Sequence, residues 1–291
     1  MAPPSPADDP RLAVVTVSYG SDGVLPDFLG SIEAASAARP LVAVADNKPV
    51  PDSGVARLVT AGGGKYLPME RNRGYGSAIN AVVAGLPASV EWVLISNPDV
   101  VLGAGSVDRL LAVAAEDEHI GAVGPAILDA DGSVYPSARS IPSLRTGIGH
   151  ALFANLWMNN PWSRAYRNDA SEHVARRDAG WLSGACLLVR RTAFDRVGGF
   201  DEGYFMYFED VDLGYRLGKA GFRNVYEPDA TVMHTGAHST EGESSAMISA
   251  HHDSARRFLE RKYAGALLWP VRVALRTGLA VRSRLAKRRG I

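Results

Sequence analysis

Three carboxylates, Glu209, Asp210 and Asp212, directly follow an aromatic stretch at residues 205–208. Carboxylates in the first turn of a helix are stabilised by the helix dipole, so helix capping is the simplest explanation for them. Aromatic neighbours, however, remove water from a carboxylate and raise its pKa, which makes it a better general base near neutral pH. The segment predicts either a capped helix or a catalytic base, and its aromatic setting favours the base.

Another carboxylate, Asp99, follows Asn97 and Pro98 at the end of a short apolar run. It is a hard oxygen ligand of the kind that Mg²⁺ or Mn²⁺ accepts while it holds a substrate diphosphate. His234 also ends an apolar run and could be a second ligand, since imidazole binds many transition metals. A single histidine is more often structural, so the sequence leaves both interpretations of His234 open.

The segment from Asn72 to Asn80 combines three glycine and serine positions with the start of a helical pattern. Backbone N–H groups at such a helix start can approach an anion or the hydroxyls of a sugar. The segment lacks the Lys-Ser/Thr pair of a nucleotide-binding P-loop, and its glycine spacing does not fit the dinucleotide-binding fingerprint. Both observations argue against ATP hydrolysis and NAD binding.

These side chains need a scaffold that brings distant parts of the chain together. Apolar, β-branched runs predict strands at residues 12–18, 41–45, 92–95 and 180–191 and before His234, and helical spacing predicts helices at 74–85, 106–115 and 208–220. Alternation of strands and helices predicts an α/β protein with a mainly parallel sheet whose two faces are covered. Residues 135–177 are less periodic and predict long loops over a cleft.

Polar side chains follow three of the predicted strands at the point where each strand ends. Thr16 and Ser18 end the first strand, Asp46 follows the second, and Asn97 and Asp99 follow the third. Because ligands bind at the carboxyl ends of parallel strands, we expect these side chains to share one site. Any one of them alone could serve turn chemistry only, so the prediction depends on all three strand ends together.

The composition is typical of a folded protein with no net charge. The chain has 291 residues, 46% of them hydrophobic, and a formal net charge of zero, which gives no support for nucleic-acid binding. Residues 251–291, however, carry a net charge of +9, and the preceding part carries −9. Basic and apolar residues alternate from 267 to 289, which predicts a helix that lies on an anionic membrane surface, with a solvated basic helix as the alternative.

Cysteine usage and the ends of the chain predict a cytoplasmic location. Cys186 is the only cysteine, so no intrachain disulfide can form, and its apolar neighbours predict a buried side chain rather than a nucleophile. Residues 1–10 are Pro-rich and acidic, unlike a signal peptide, and predict a disordered leader. Every apolar run is shorter than the roughly 18 residues that a membrane span needs. We therefore expect a peripheral protein on the inner face of the cell membrane.

Six motifs together resemble the family 2 inverting glycosyltransferases, over about residues 13–234. In order, they are residues 15–19, 46–47, 72–76, 97–99, 180–185 and 208–216. The resemblance implies a GT-A fold, a Rossmann-like and mainly parallel sheet flanked by helices, at residues 11–235. It further implies a nucleotide-sugar half at about 11–130, an acceptor half at about 131–235, and a mobile loop followed by membrane-associating helices at 236–291.

The resemblance implies roles for the donor side. Residues of the first three motifs would bind the donor nucleotide and sugar: Thr16, Ser18, Tyr19, Asp46, Asn72 and Gly74, with Asn97 and Asp99 beside the diphosphate. Asp46 would accept a hydrogen bond from the pyrimidine base. Asp99 stands at the last position of the family's Asp-x-Asp metal motif, whose first position is Asn97 here. His234 matches a metal-binding histidine of some relatives, so the implied cation, Mg²⁺ or Mn²⁺, has Asp99 and His234 as its protein ligands.

On the acceptor side, the resemblance implies that Asp210 is the general base, with the adjacent Glu209 as the alternative. Trp181, Ser183, Gly184 and Arg139 would bind the acceptor. The reaction would be a single displacement at the anomeric carbon, opposite the departing nucleoside diphosphate. The position of Arg216 toward solvent or toward the diphosphate does not follow from its spacing.

Within the family, residues 133–139, 180–191 and 204–220 more closely resemble the rhamnosyltransferases of actinobacterial cell-wall assembly. It implies dTDP-rhamnose as the donor and a polyprenyl-diphosphate-linked N-acetylglucosamine as the acceptor, in synthesis of the cell-wall linker. The alternatives are a transferase for another nucleotide sugar, such as a UDP-hexose or galactofuranose donor, and a catalytically silent sugar-nucleotide-binding protein. A nucleotidyltransferase is disfavoured, because residues 19–22 lack the basic loop it needs. The sequence leaves open whether the chain forms a homo-oligomer.

Overall fold

The computed structural model describes residues 10–142, 174–236 and 244–265, together with residues 269, 270 and 273. Its strands are β1 (Leu12–Ser18), β2 (Leu41–Asp46), β3 (Lys65–Pro68), β4 (Trp92–Ser96), β5 (Val100–Leu102), β6 (Ile120–Leu128), β7 (Val134–Tyr135), β8 (Ala138–Arg139), β9 (Arg177–Ala179), β10 (Trp181–Leu182), β11 (Cys186–Arg190) and β12 (Arg223–His234). Its helices are α1 (Leu25–Ala35), α2 (Gly54–Ala61), α3 (Tyr75–Ala84), α4 (Ser106–Ala115), α5 (Arg191–Arg196), α6 (Glu209–Lys219) and α7 (Ser244–Lys262).

The central sheet has the strand order β3-β2-β1-β4-β11-β6-β12-β5 in the described part of the chain. Strands β3, β2, β1 and β4 run parallel to one another, and β6 runs parallel to β12. Strand β11 lies between these two blocks and is antiparallel to both β4 and β6. The predicted α/β fold with a mainly parallel sheet is confirmed, and strands from both predicted halves contribute to one sheet.

Burial explains why the first strand is a continuous apolar run in the sequence. All seven residues of β1 are buried, because helices cover both faces of the sheet. Phe28 of α1 and Leu110 of α4 pack on one face, while Ile79 of α3 and Leu213 of α6 pack on the other. Each face therefore buries its own apolar cluster, and the polar strand ends are left at the edge where the candidate site lies.

Boundaries of the regular elements follow the sequence patterns closely. The predicted strand at 12–18 and helix at 106–115 match β1 and α4, and α3 occupies residues 75–84 of the predicted 74–85. Strand β6 is not among the predicted strands. Gly121, Gly124 and Pro125 interrupt its apolar run, and such residues usually weaken a strand assignment.

The prediction of one strand over residues 180–191 is wrong. Residues 181–182 pair with β8 in a separate two-stranded sheet, whereas residues 186–190 belong to the central sheet. A turn at Ser183–Ala185 separates them. Cys186 begins the second of these strands, and its thiol is buried as predicted. Burial raises the pKa of that thiol to about 12, so it stays protonated.

Helix α7 packs across the segment that leads into α6. The Ser254 hydroxyl donates to the carbonyl of Met206 at 2.8 Å, and the guanidinium of Arg257 donates to the carboxylate of Asp201. Phe258 is buried against Phe208 of that segment, with ring centroids 5.8 Å apart. Helix α7 thus fixes the segment immediately before the predicted base.

Several predicted features fall outside the described residues. They are the leader up to residue 9, residues 143–173 of the predicted loops, residues 237–243 of the predicted mobile loop, and most of the basic tail. Of the tail, Trp269 and Val273 are described as helical, with 61% and 51% of their surface exposed. None of the helices described is both long enough and apolar enough to span a lipid bilayer.

Candidate active site

The carboxylates of Glu209 and Asp210 begin α6 in different surroundings. Glu209 is buried, and its Oε2 atom has no hydrogen-bond partner among the described residues. Asp210 is only partly buried, and its Oδ2 atom accepts a hydrogen bond from the backbone N–H of Gly184 at 2.9 Å. Asp210 is thus the carboxylate of the pair that combines a fixed orientation with access to a bound substrate.

The backbone that leads into these carboxylates is strained. Tyr207 and Phe208 have φ angles of +67° and +66°, in the left-handed region that side chains other than glycine disfavour. The rings of both residues contact the imidazole of His251 on α7, with centroids 5.5 and 5.4 Å apart. Packing by α7 therefore holds a conformation that would otherwise cost roughly 1–3 kcal/mol per residue.

Both carboxyl groups have raised pKa values. Burial raises the pKa of Asp210, and the Gly184 N–H partly offsets this by stabilising the carboxylate. Burial, and next the negative charge of Asp210, raise the pKa of Glu209 above the ordinary value of 4.5. A carboxylate whose pKa is raised accepts a proton more readily, as a general base requires.

Removing the charge of Glu209 is expected to stabilise the fold at neutral pH. Since the folded state holds the proton of Glu209 more tightly than the unfolded chain does, stability is lost as the pH rises above 4.5. Gln is neutral at every pH, so we expect Glu209→Gln to gain about 1–3 kcal/mol at pH 7.5 in denaturant unfolding. The gain should disappear below about pH 4.5.

The matched control for this measurement is Glu202→Gln. Glu202 is 42% exposed and pairs with Arg73 at 2.9 Å, so neutralising it should change stability by less than about 1 kcal/mol. A gain for Glu209→Gln that is constant between about pH 4 and pH 8 would show that repacking, and not ionisation, causes it.

Gly184 lies beside Asp210 and links it to two other predicted site segments. Its carbonyl accepts a hydrogen bond from the Tyr75 hydroxyl at 3.0 Å. The carbonyl of the next residue, Ala185, accepts a hydrogen bond from the backbone N–H of Asn97 at 2.8 Å. The turn at 183–185 therefore contacts the glycine-rich motif, the Asn97–Asp99 motif and the predicted base.

Three predicted site carboxylates affect the pKa of the Tyr75 hydroxyl. Burial raises the pKa of Tyr75 well above its ordinary value, and the negative charges of Glu209, Asp210 and Asp99 raise it further. Hydrogen bonds give the geometric link: the turn at 183–185 contacts Asp210 through the Gly184 N–H and the Asn97–Asp99 motif through the Ala185 carbonyl. The turn thus connects the predicted base to the motif that contains the predicted metal ligand, although 111 positions separate the two carboxylates in the chain.

Asp99 and His234 meet where β5 pairs with β12. His234 lies opposite Val100 in the antiparallel register, which brings its Nε2 atom to 3.1 Å from Oδ1 of Asp99. This hydrogen bond raises the pKa of His234. The backbone N–H and the hydroxyl of Thr235 both donate to the Asp99 carbonyl at 3.1 Å and fix the strand ends.

The donor set at Asp99 and His234 fits a cation that a substrate helps to hold. Among the described residues, no three His, Cys, Asp or Glu side chains come together as a metal cage. Mg²⁺ and Mn²⁺ bind in enzymes with one or two protein ligands and take the others from water and substrate phosphates. One carboxylate and one imidazole 3.1 Å apart match that requirement.

Asp46 is held in place by two hydrogen bonds at the end of β2. It is 1% exposed, and its two oxygens accept hydrogen bonds from the Lys48 backbone at 3.0 Å and the Tyr66 hydroxyl at 2.9 Å. Thr16 and Ser18 are fully buried, whereas Tyr19 is 45% exposed. Of the three residues at the end of β1, therefore, Tyr19 presents the surface that a nucleotide could contact.

Asn72 and Gly74 form the turn before α3. Asn72 accepts a hydrogen bond from the Gly74 N–H at 2.9 Å, and Asn47 donates to the Gly74 carbonyl at 3.3 Å. Gly74 has a φ angle of +97°, and a Cβ atom there would lie 2.2 Å from the Phe205 carbonyl oxygen. This glycine brings the donor motif into direct contact with the segment that precedes the base.

Substitution of Gly74 is expected to disrupt that contact. Gly74→Ala combines an unfavourable φ with a backbone clash, so we expect a loss of roughly 2–4 kcal/mol in unfolding free energy. Gly63→Ala is the control, since Gly63 has a φ of +74° and an added Cβ atom there would meet no described atom within 4 Å. Its loss should be about 1–2 kcal/mol. Equal losses for the two variants would contradict a role for the clash.

The predicted acceptor residues lie on β8, on β10 and in the turn that follows β10. Trp181 of β10 pairs with Arg139 of β8, and the backbone N–H of Ser183 donates to the Ser137 carbonyl at 2.7 Å. The positive charge of Arg139 lowers the pKa of Asp210, so the two side chains are electrostatic neighbours. A cation there suits an anionic acceptor.

Arg216 has a structural role. Its Nε atom donates to Asp212 at 2.5 Å, and its Nη1 atom donates to the Val197 carbonyl at 2.7 Å. Tyr66 and Tyr75, which contact Asp46 and Gly184, were not predicted as site residues. The sequence signal for Tyr75 is its place inside the glycine-rich motif, and hydrogen bonding to a residue 109 positions away leaves no local pattern.

Residues 10–252 match a family model described as glycosyltransferase like family 2. The chain is 46% identical over 286 residues to the N-acetylglucosaminyl-diphospho-decaprenol L-rhamnosyltransferase of Mycobacterium tuberculosis, with 95% of this chain and 93% of the relative covered. It is 29% identical over 195 residues to the rhamnosyltransferase WbbL of Escherichia coli K12, with 65% of this chain and 71% of the relative covered.

Two solved structures share the fold at low sequence identity. A mannosyltransferase from Pyrobaculum calidifontis, in complex with GDP-Man and Mn²⁺, covers 98% of this chain and 74% of its own, with a TM-score of 0.59 and 15% identity. GalNAc-T7 with UDP, GalNAc and Mn²⁺ covers 86% of this chain and 47% of its own, with a TM-score of 0.58 and 14% identity. These similarities support the GT-A architecture.

Proposed function

Because the chain belongs to glycosyltransferase family 2, it is a glycosyltransferase, and we propose that it transfers L-rhamnose from dTDP-rhamnose to N-acetylglucosamine on a polyprenyl diphosphate. The observation that carries this proposal is the 46% identity, over nearly the full length of both chains, to an enzyme whose name states that acceptor and that sugar. The product would be a lipid-linked disaccharide for cell-wall linker synthesis.

Asp210 is the proposed general base. Its carboxylate removes the proton from an acceptor hydroxyl while the hydroxyl oxygen forms a bond to the anomeric carbon of rhamnose. The bond from that carbon to the donor diphosphate breaks, and its electron pair leaves with dTDP. Attack from the face opposite the leaving group inverts the anomeric configuration, and the proton remains on Asp210. Partial exposure and the fixed Gly184 contact support Asp210 over the buried Glu209.

Asp99 and His234 are the proposed protein ligands of a divalent cation, Mg²⁺ or Mn²⁺. When bound, the cation neutralises the negative charge that builds on the departing diphosphate. The side chains of this pair lie close enough to share one ion, and Thr235 fixes the backbone of Asp99. Asn97 in place of a first acidic residue leaves the pair with one negative charge, so tight binding would need the diphosphate.

The donor and the acceptor would bind to different elements near Asp210. On the donor side, the exposed Tyr19 would contact the nucleoside, and Asp46, whose carboxylate already accepts from Lys48 and Tyr66, would accept a further hydrogen bond from the pyrimidine. On the acceptor side, Arg139 supplies a positive charge for the polyprenyl diphosphate, and Trp181 supplies an apolar face for the sugar.

Membrane attachment through the basic tail would bring the enzyme to its lipid acceptor. Trp269 and Val273 are both described as helical, and both are more than half exposed. The net charge of +9 in residues 251–291 suits anionic headgroups, at about 1 kcal/mol for each basic residue near the surface. We accordingly place the enzyme on the inner face of the cell membrane.

The test is rhamnosyl transfer by the purified chain. It would be incubated with dTDP-rhamnose and a polyprenyl-diphospho-N-acetylglucosamine analogue, with and without Mn²⁺ or Mg²⁺, and dTDP release would be followed. We expect cation-dependent release that needs the acceptor, and a product whose anomeric configuration by NMR is opposite to that of the donor. Faster turnover with a UDP-hexose or UDP-galactofuranose would overturn the choice of donor.

A further inference from the structure

Gly184 makes two backbone hydrogen bonds that join α3 to the base. Its N–H donates to Oδ2 of Asp210 at 2.9 Å, and its carbonyl accepts from the Tyr75 hydroxyl at 3.0 Å. Glycine has the least restricted backbone of any residue, so the direction of its N–H depends on contacts from outside. The Tyr75 hydroxyl supplies such a contact on the carbonyl side of the same residue.

Tyr75 is held rigidly enough to act as an anchor. It is the first residue of α3, and its backbone N–H donates to the Phe205 carbonyl at 3.3 Å. Its ring packs edge-on against Phe200, with centroids 6.3 Å apart and an interplanar angle of 68°. Burial and the surrounding carboxylates raise the pKa of its hydroxyl, which therefore remains a neutral donor at working pH.

Gly184 lies in van der Waals range of the two groups that it joins. A Cβ atom there would lie 3.4 Å from Cβ of Asp210 and 3.8 Å from Cε1 of Tyr75. The neighbouring carbonyl of Ala185 is fixed by the N–H of Asn97 at 2.8 Å and the Ser96 hydroxyl at 3.3 Å. The Ala185 end of the turn is thus attached to the end of β4. At the Gly184 end, the hydrogen bond from Tyr75 determines how the Gly184 N–H faces Asp210.

We propose that Tyr75 is a positioning residue, whose hydroxyl orients Gly184 so that the Gly184 N–H fixes the Asp210 carboxylate toward the acceptor hydroxyl. This inference rests on the proposed function only in taking Asp210 as the base. Tyr75 does not transfer a proton itself. It sets the angle of the carboxylate and, through the Gly184 N–H, the proton affinity of that carboxylate.

The role predicts a specific kinetic signature for Tyr75→Phe. The variant keeps the ring that packs on Phe200 and removes only the hydroxyl. We expect kcat to fall about tenfold, as for loss of one well-placed hydrogen bond, and the KM for the nucleotide sugar to stay within about twofold. A weaker Gly184 contact should also raise the pKa of Asp210, so the acid limb of the pH–kcat profile should move to higher pH.

Other groups near Asp210 stay unchanged in this comparison. They are Glu209 beside it and Arg139 from β8, whereas Tyr75 from α3 is the one titratable neighbour that the variant changes. Tyr204→Phe is the matched control, because the buried Tyr204 hydroxyl has no hydrogen-bond partner in the part of the chain that the structure describes. Its kcat and its acid limb should match those of the wild type.

A second variant keeps the test decisive if Tyr75→Phe does not fold. Gly184→Val extends two methyl groups beyond a Cβ position that already lies in van der Waals contact with Asp210 and Tyr75, so it should displace them and give the same signature of reduced kcat, shifted acid limb and retained donor KM. The assay uses whichever nucleotide sugar the wild type turns over, so a wrong donor leaves the test valid. Wild-type kcat and acid limb in Tyr75→Phe, or in Gly184→Val where the first variant is unfolded, would overturn the inference. Normal turnover in Asp210→Asn would instead overturn the base assignment.

Discussion

Asp210→Asn is expected to lower kcat by about 10²–10⁴-fold while the affinity for dTDP stays within about twofold. Asn has the same shape as Asp, and its side-chain oxygen can still accept the hydrogen bond from the Gly184 N–H. The amide cannot take up the proton of the acceptor hydroxyl, so the chemical step should suffer and dTDP binding should not. Its nitrogen would replace Oδ1, so the hydrogen bond from the Val211 N–H at 2.8 Å would be lost. Single-turnover rates with the lipid acceptor and calorimetric binding of dTDP would separate the two effects.

The companion variant Glu209→Gln decides between the adjacent carboxylates. Glu209 is buried, so we expect its variant to keep kcat within about tenfold and to show the stability gain described above. Near-normal kcat in Asp210→Asn together with a loss in Glu209→Gln would move the base to Glu209. In the wild type, kcat should rise with pH through values above the ordinary carboxyl range, because burial raises the pKa of Asp210.

Asp99→Asn is expected to abolish the effect of divalent cation on donor binding. Asn has no negative charge, so the remaining ligand His234 would hold a cation weakly. We expect kcat/KM to fall by roughly 10²–10³-fold, which corresponds to several kcal/mol of lost charge stabilisation. The readout is the dTDP affinity with and without Mn²⁺: the wild type should bind more tightly with the ion, and the variant should bind equally in both conditions.

Asp229→Asn is the matched control for Asp99→Asn. The Asp229 carboxylate is 72% exposed and pairs with Arg109 at 3.0 Å, in a surface ion pair that contributes little. Its kcat/KM and its response to Mn²⁺ should equal those of the wild type. Cation-dependent dTDP binding that survives in Asp99→Asn would show that the ion is held by other residues.

Local sequence patterns determined the parallel half of the fold and the order of the motifs. The strand β1 and the helix α4 have the predicted bounds, because burial on both faces leaves a continuous apolar run in β1 and burial on one face leaves a helical period in α4. The resemblance of the motifs to family 2 glycosyltransferases was likewise present in the sequence, and the match over residues 10–252 confirms it.

Only the tertiary structure decided how the site residues meet. Glu209 and Asp210 have the same chemistry in sequence, and their different burial depends on how α7 and the turn at Gly184 pack around the start of α6. Likewise, His234 reaches Asp99 because β12 pairs with β5, although the two residues are 135 positions apart.

The division of the predicted strand at 180–191 into two sheets has the same cause. Which partner a strand takes depends on the whole topology, since the same apolar run could pair with β8 or with β4. The Tyr75–Gly184 bond joins residues 109 positions apart. Spacing along the chain determines which side chains share a face of one helix or strand. Contacts between helices and strands depend on how these elements pack, and a local stretch of sequence does not determine that packing.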